Sequence, residues 1–321
     1  MKKNKPSISI FGVFITIVSI SAFSYAVFYR IKNLPVENIA PSPPLQAEVI
    51  TDNAESVVLG EKVEEPKKEV EEVAPPPQVT ALSYIIYDIR KGEVAAESNS
   101  DLILPPASTT KIMTALVALE EYSISDVLPI PKGCLKLPGT QAYLSEGDFL
   151  SVESLLYALL LPSASDAACV LASGRNNPSE FLAKMNKKAG ELGLKHTNFD
   201  NVIGLDSDSD SHYSTASDLL LIAKEALENQ ELMKIVGTKY YEVPSYDSAR
   251  TYTVRNTNEL LFSLPGTIGI KTGTTEKAGA GLVYAYKNTS KYKEAIIIVM
   301  GSREDSRFSD AKALLDWYLT L

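Results

Sequence analysis

The sequence predicts an α/β chain of the α+β type, with one antiparallel sheet closed by strands from both ends of a domain and flanked by helices. Leu82-Ser83-Tyr84-Ile85-Ile86-Tyr87-Asp88 is a β-branched and aromatic run, and Arg90-Lys91-Gly92 reads as a hairpin turn into Glu93 to Ala96. Gly281 to Tyr286 and Ala295 to Met300 form a second such pair, followed by a helix from about Ser309 to Tyr318. Apolar helical runs lie between the two pairs. Strands at both ends with helices between them fit a single sheet whose faces carry the helices.

Before the first strand, Ile8 to Phe28 is almost wholly apolar and follows Lys2, Lys3 and Lys5. At about 1.5 Å per residue it is long enough to span a bilayer, with the basic end left in the cytoplasm. Ala22-Phe23-Ser24 offers a signal-peptide cleavage site. The apolar run continues past it and ends with Arg30 and Lys32, which favours an uncleaved anchor within residues 1–32. Residues 33–78 are rich in proline, glutamate and valine, with Pro41-Ser42-Pro43-Pro44 and Pro75-Pro76-Pro77, and predict a disordered, partly extended linker. Residues 79–321 are left as the folded domain. The first 32 residues carry five basic and no acidic side chains, whereas 33–78 carry three basic and ten acidic, and the whole chain is at −9. Neither linker nor domain has the charge of a nucleic-acid binder.

Within the domain, Ser108-Thr109-Thr110-Lys111 follows Pro105-Pro106 and precedes Ile112, Met113, Ala115, Leu116, Val117, Ala118 and Leu119. Paired prolines suit the approach to a helix, and apolar residues on nearly every side bury the helix that follows. Ser108 then stands at the start of a core helix with Lys111 one turn on, on the same face. A serine hydroxyl is a weak nucleophile until a base takes its proton, and a neutral lysine at i+3 can reach it. First-turn N–H groups lack helical partners, so that of Ser108 can bind a developing oxyanion. Neutrality requires burial or a second cation to depress the lysine, and Lys271 is the candidate cation. A second S-x-x-K, Ser290 to Lys293, lies between two β-rich runs and reads as a solvated hairpin loop.

Lys271-Thr272-Gly273 follows Gly266-Thr267-Ile268-Gly269-Ile270 and leads to Gly279-Ala280-Gly281. Glycines beside a β-branched run suggest a strand whose backbone approaches a ligand closely. A cation, a hydroxyl and an open edge can hold the carboxylate and amide of an extended peptide.

With these motifs the chain resembles the serine D-alanyl-D-alanine carboxypeptidases, the low-molecular-weight penicillin-binding proteins. Pro106-Ala107-Ser108-Thr109-Thr110-Lys111-Ile112-Met113-Thr114-Ala115, Thr197-Asn198-Phe199 with Gly204-Leu205-Asp206, and His212-Tyr213-Ser214-Thr215-Ala216 match family signatures in the family's order across roughly Val79 to Leu321. The resemblance implies a β-lactamase/transpeptidase-like fold, a sheet flanked by helices plus a mainly helical lobe, with the active site in the cleft. It also implies a membrane-tethered enzyme acting outside the bacterial cytoplasm on peptidoglycan stem peptides, inhibited by β-lactam antibiotics and needing no cofactor or metal. Ser108 would be the nucleophile, Lys111 the general base and Ser163 a proton relay. Lys271, Thr272, Gly273 and Thr274 would engage the substrate, with the N–H groups of Ser108 and Thr274 as the oxyanion hole.

One departure stands out. The family's middle motif is S-x-N, and here it reads Ser163-Ala164-Ser165. Leu155 to Leu161 is an apolar helix, Pro162 interrupts it, and Ala167-Ala168-Cys169-Val170-Leu171-Ala172 begins another, which puts Ser163 at a helix-to-helix turn. Ser165, expected at the substrate, has one hydroxyl in place of an amide and replaces only part of its hydrogen bonding. A catalytically weak peptide-binding sensor, a D,D-endopeptidase and a β-lactamase are the alternatives. For the last, Glu191-Leu192-Gly193-Leu194-Lys195 lacks the asparagine of an E-x-x-L-N loop.

The two cysteines, Cys134 and Cys169, are too few for a disulfide framework, and their spacing gives no reason to expect a bridge. Cys169 reads as a small buried apolar residue. His196 and His212 cannot build the usual zinc sites without carboxylates. Asp206-Ser207-Asp208-Ser209-Asp210 opens like a calcium loop, but Ser211 and Ser217 stand where glycine and glutamate are needed, so it reads as a solvated loop. Thr215 with Asp218 predicts a capping box for the next helix.

Overall fold

The computed structural model describes residues 74–321 apart from positions 176, 207, 304 and 305. In chain order come β1 (Ser83–Asp88), β2 (Glu93–Ser98), a 3-10 turn (Ala107–Thr109), α1 (Thr110–Glu121), β3 (Val127–Pro129), β4 (Phe149–Ser151), α2 (Val152–Leu160) and α3 (Ser165–Ser173). Then follow α4 (Pro178–Glu191), α5 (Ala216–Glu228), α6 (Gln230–Val236), β5 (Tyr240–Pro244), β6 (Thr251–Arg255), α7 (Leu260–Ser263), β7 (Thr267–Thr275), β8 (Gly279–Asn288), β9 (Lys293–Ser302) and α8 (Arg307–Tyr318). Five strands form one sheet in the order β2-β1-β9-β8-β7, with every neighbouring pair antiparallel. The expected sheet, closed by both ends of the domain, is therefore present, and β7 is left as an edge. Two short hairpins, β3-β4 and β5-β6, had no counterpart in the sequence reading.

Alternation along the strands sorts the sheet's side chains into two cores. Ile85, Val283, Ala285, Ile296, Ile298 and Met300 join α1, α2, α3 and α5 in the larger one. Tyr84, Ile86, Leu282, Tyr284, Ile297 and Val299 face α8, which contributes Ala311, Leu314, Leu315 and Tyr318. A strand buried on both faces must be apolar at every position, which is why Ala295 to Met300 reads as an unbroken run. In the helical lobe, Ile112, Met113 and residues 115–118 of α1 are buried, as is every residue from Leu155 to Leu161.

Helix starts follow from side chains that accept first-turn N–H groups. Ser151 caps α2 through Ser154 N, Asn177 caps α4 through Glu180 N, and Thr215 caps α5 through Asp218 N. The capping box expected at Thr215 is half made. The Asp218 carboxylate instead accepts from Lys195 N (3.2 Å), His196 N (2.8 Å) and Thr197 Oγ1 (2.7 Å), tying the turn before the family-like Thr197-Asn198-Phe199 segment to α5.

The cysteine reading is overturned, because Cys134 and Cys169 form a disulfide. Their separation of 35 residues carries no pairing signal; the loop after β3 folds back along α3 and brings Cys134 to it. Ser290 and Lys293 fall at the β8-β9 hairpin, as expected. The apolar segment Ile8 to Phe28 and all but the end of the linker lie outside the described residues; among the described residues, no helix is long and apolar enough to cross a membrane. Contacts with the domain begin ahead of Val79, since the Ala74 carbonyl accepts from Trp317 Nε1 (2.7 Å).

Candidate active site

Ser108 sits in the 3-10 turn that precedes α1, with Ala107 at φ +48° and the turn closed by Thr109, whose N–H and hydroxyl both donate to Pro106 O (3.2 and 2.6 Å). Lys111 Nζ lies 3.1 Å from Ser108 Oγ and donates to Ile203 O (2.5 Å). Burial lowers the Lys111 pKa to about 7, against a pull upward from Asp166. As a neutral amine, Lys111 can give one N–H to Ile203 and turn its lone pair to the serine proton. Burial is thus the main cause of its depression.

The carbonyl that orients Lys111 is itself held. Asn201 Oδ1 accepts the N–H groups of Ile203 (3.2 Å), Gly204 (2.7 Å) and Leu205 (3.1 Å), and Thr114 Oγ1 donates to Val202 O (2.7 Å). Gly204 has φ +79°, and a Cβ there would stand 2.0 Å from Ala107 O. Only glycine lets this loop lie against the backbone that carries Ser108. On the other side of α1, His212 Nε2 lies 2.8 Å from Thr110 Oγ1, while Asp200 N–H donates to Nδ1 (3.1 Å). Burial lowers the His212 pKa against an upward pull from the Asp200 carboxylate, whose Oδ1 lies 3.0 Å from the same Nδ1.

Ser163 occupies the turn between α2 and α3 at φ +69°, in the left-handed region that a non-glycine residue enters at a cost. Its buried Oγ has no hydrogen-bond partner among the described residues. Ser165 begins α3, donates its N–H to Thr140 O (2.7 Å) and is buried. A Cβ on Gly139 would lie 3.0 Å from Ser165 Oγ, so the Gly139-Thr140 backbone covers this hydroxyl. The neighbouring Asp166 accepts from Ala142 N (3.1 Å), Leu144 N (3.1 Å) and its successor Ala167 N (2.9 Å). Together with the disulfide, α3 fixes the 134–144 loop at three levels.

On β7, Lys271 is buried and donates to Thr272 O (3.0 Å). Burial first, then the charges of Lys111 and Arg307, push its pKa well below the ordinary lysine value. Gly273 brings the strand against Ser108: a Cβ there would be 3.1 Å from Ser108 N and from Ala107 Cβ. Thr272 Oγ1 lies 2.7 Å from Thr257 Oγ1, and Arg307 Nη1 donates to Gly273 O (2.7 Å).

These elements enclose a cleft of about 540 Å³ lined by Ser108, Thr140, Ser163, Thr257, Thr272, Gly273, Thr274 and Arg307, with Arg255 and Glu259 at its wall. Lys111 and Lys271 are buried and do not line it, and neither does Ser165, whose place toward the cleft is taken by Thr140. Ser108, Ser163 and the Lys271-Thr272-Gly273 strand thus converge. Asp166, Asn201, Thr257 and Arg307 were missed by the sequence reading; a lone arginine at the start of the last helix carries no motif. The acidic loop is more engaged than expected, since Asp206 accepts from Thr275 Oγ1 (2.5 Å) and Lys277 N (3.0 Å).

A serine and a buried lysine at the start of a core helix, facing a glycine-bearing edge strand across a cleft, define the class of serine–lysine proteins of the penicillin-binding type. The Peptidase S11 family, described as D-alanyl-D-alanine carboxypeptidase, matches residues 69–304, and the chain belongs to it. It is 34% identical over 244 residues to D-alanyl-D-alanine carboxypeptidase DacF of Bacillus subtilis (strain 168), covering 74% of this chain and 61% of that protein. It is 37% identical over 232 residues to the D-alanyl-D-alanine carboxypeptidase of Streptomyces sp. (strain K15), covering 67% and 78%. The crystal structure of the Streptomyces K15 DD-transpeptidase superposes with a TM-score of 0.72 at 33% identity, over 77% of this chain and all of that one. The chain thus spans about three fifths of the Bacillus relative's length.

Proposed function

We propose that this chain is a serine D,D-carboxypeptidase that removes the terminal D-alanine from peptidoglycan stem peptides through an acyl-enzyme on Ser108. One observation carries the reading: Lys111 Nζ is 3.1 Å from Ser108 Oγ, with its pKa lowered to about 7 by burial. That is the state in which an amine accepts a proton near neutrality.

Ser108 Oγ attacks the carbonyl carbon of the last peptide bond while Lys111 takes the hydroxyl proton. The oxyanion forms against the N–H groups of Ser108 and Thr274. The proton passes through Ser163, whose buried hydroxyl has no other partner among the described residues, to the leaving nitrogen, and the bond to D-alanine breaks. Water then attacks the ester, with Lys111 again as base, and frees the shortened peptide. Thr272 and Thr274 hold the terminal carboxylate through hydroxyl donors, and Lys271 and Arg307 supply positive charge. Ser165 acts through Thr140, which it positions at the cleft. No step calls on a cofactor or a metal, and β-lactams acylate Ser108 as substrate mimics.

The catalytic domain, from about residue 79 onward, is carried outside the cytoplasm by the linker 33–78 and an anchor within residues 1–32. The apolar run Ile8 to Phe28 behind three lysines supports the anchor. The Cys134–Cys169 bridge supports an oxidising compartment. Release of D-alanine from a diacetyl-lysyl-D-alanyl-D-alanine peptide, abolished in Ser108→Ala, tests the activity. Hydrolysis of internal crosslinks without such release would favour an endopeptidase instead.

A further inference from the structure

Thr257 has no part in the mechanism above, yet it touches the strand that does. Its hydroxyl lies 2.7 Å from Thr272 Oγ1 and 3.3 Å from Leu161 O, and its own N–H already donates to Leu161 O at 3.0 Å. The segment around it is fixed. Asn256 Nδ2 donates to Val236 O and Thr238 O (both 3.0 Å), Asn258 N donates to Asn256 Oδ1 (2.9 Å), and Leu260 N donates to Asn258 Oδ1 (3.2 Å). Thr257 therefore meets Thr272 from a fixed position.

Each hydroxyl carries one proton, and the 2.7 Å contact uses one of them. If Thr272 gave its proton, Thr257 would be left with the long contact to a carbonyl that its N–H already serves. Thr272 would then show the cleft only lone pairs, which repel a carboxylate. If Thr257 gives its proton, Leu161 O keeps the 3.0 Å bond, and only the 3.3 Å contact is lost. The Thr272 O–H is then free to point into the cleft that Thr272 lines.

We infer that Thr257 is a positioning residue for carboxylate recognition: it donates to Thr272 Oγ1 and so turns the Thr272 hydroxyl into a donor toward the substrate's terminal carboxylate. The inference rests on the reading of Thr272 as a carboxylate ligand. A hydrogen bond to a charged group shifts affinity by about tenfold or more, and that is the size of effect at stake.

The test compares second-order acylation of the full chain by benzylpenicillin and by its methyl ester, which lacks the charge, followed by intact mass. Thr257→Val is expected to cut the preference for the free acid about tenfold while leaving the ester rate within about twofold, and Thr257→Ser to restore the preference. Thr257→Ala removes the same hydroxyl with less bulk and is read in parallel, so a folding failure of the valine variant leaves the test standing. Thr272→Val separates the two levels of the argument. If it abolishes the preference and the Thr257 variants keep it, the inference is overturned and the carboxylate reading stands. If neither position affects the preference, the carboxylate reading fails and the inference with it. Equal slowing of acid and ester in the Thr257 variants would mean a merely structural role and would also overturn it.

Discussion

Gly204 and Ala107 meet backbone to backbone, so closely that a single methyl group on Gly204 would stand 2.0 Å from the Ala107 carbonyl oxygen. The contact joins two segments almost a hundred residues apart and sets the positions of both Ser108 and Ile203, the two partners of Lys111. Gly204→Ala must push them apart and also strain a φ of +79°. Acylation by penicillin is expected to fall by at least about 100-fold, with a stability loss of about 2–4 kcal/mol in urea unfolding. Near-parent acylation would mean that the Gly204 loop does not hold the nucleophile.

Lys111 makes activity and stability depend on pH in the same direction. Acylation needs the neutral amine, so its rate is expected to rise with pH about a midpoint near 7. Removing the Asp166 charge removes the pull that raises the Lys111 pKa, so Asp166→Asn is expected to move that midpoint to lower pH. For stability, the native lysine sheds its proton near 7 while the unfolded chain keeps it to about 10.5. Between those values the unfolded state binds more protons, so stability rises with pH; below 7 the full cost of the buried charge remains. Lys111→Met is therefore expected to be inactive yet more stable than the parent at pH 6, with the difference shrinking toward pH 9 in thermal melts.

Lys271 is held with its pKa well below the ordinary lysine value, by burial first and then by the charges of Lys111 and Arg307. An arriving carboxylate favours the charged form, so binding is expected to take up a proton. Calorimetry of a non-hydrolysed peptide carboxylate in buffers of different ionisation enthalpy reads this directly, with net proton uptake in Ser108→Ala and less in Ser108→Ala/Lys271→Met. Binding without proton exchange would place the positive charge on Arg307 alone.

The disulfide carries a stability expectation of its own. Closing a loop across 35 residues restricts the unfolded chain, so replacing both Cys134 and Cys169 by serine is expected to cost about 2–4 kcal/mol. Because the bridge fixes one end of the loop that brings Thr140 to the cleft, acylation should slow as well. Unchanged melting and acylation would show that Ser165 and Asp166 suffice to hold that loop.

What the sequence disclosed and what it hid divide along contact distance. The hairpin of β8 and β9 was legible because Ala295 to Met300 is buried on both faces, and a doubly buried strand has no choice but to be apolar. Ser108 and Lys111 were legible because a helix turn relates them locally. Ser163 could be placed at a turn because Pro162 marks it. Asp166, by contrast, looks like an ordinary first-turn acid, and its bonds to Ala142 and Leu144 leave no local pattern. Arg307 reaches Gly273 across 34 residues, and Thr257 reaches Thr272 across 15, each through a single bond. Ser165 was placed at the substrate by its motif, whereas the Gly139-Thr140 backbone that covers it comes from a loop whose path depends on the unforeseen disulfide.

The most direct test of the central claim is peptide mapping of the chain after brief exposure to benzylpenicillin at pH 7.5, with Ser108→Ala and Lys111→Ala alongside. The expected result is one penicilloyl group on the peptide containing Ser108 in the parent and none in either variant. An adduct elsewhere, or a parent rate retained in Lys111→Ala, would contradict the pairing of this serine with this lysine.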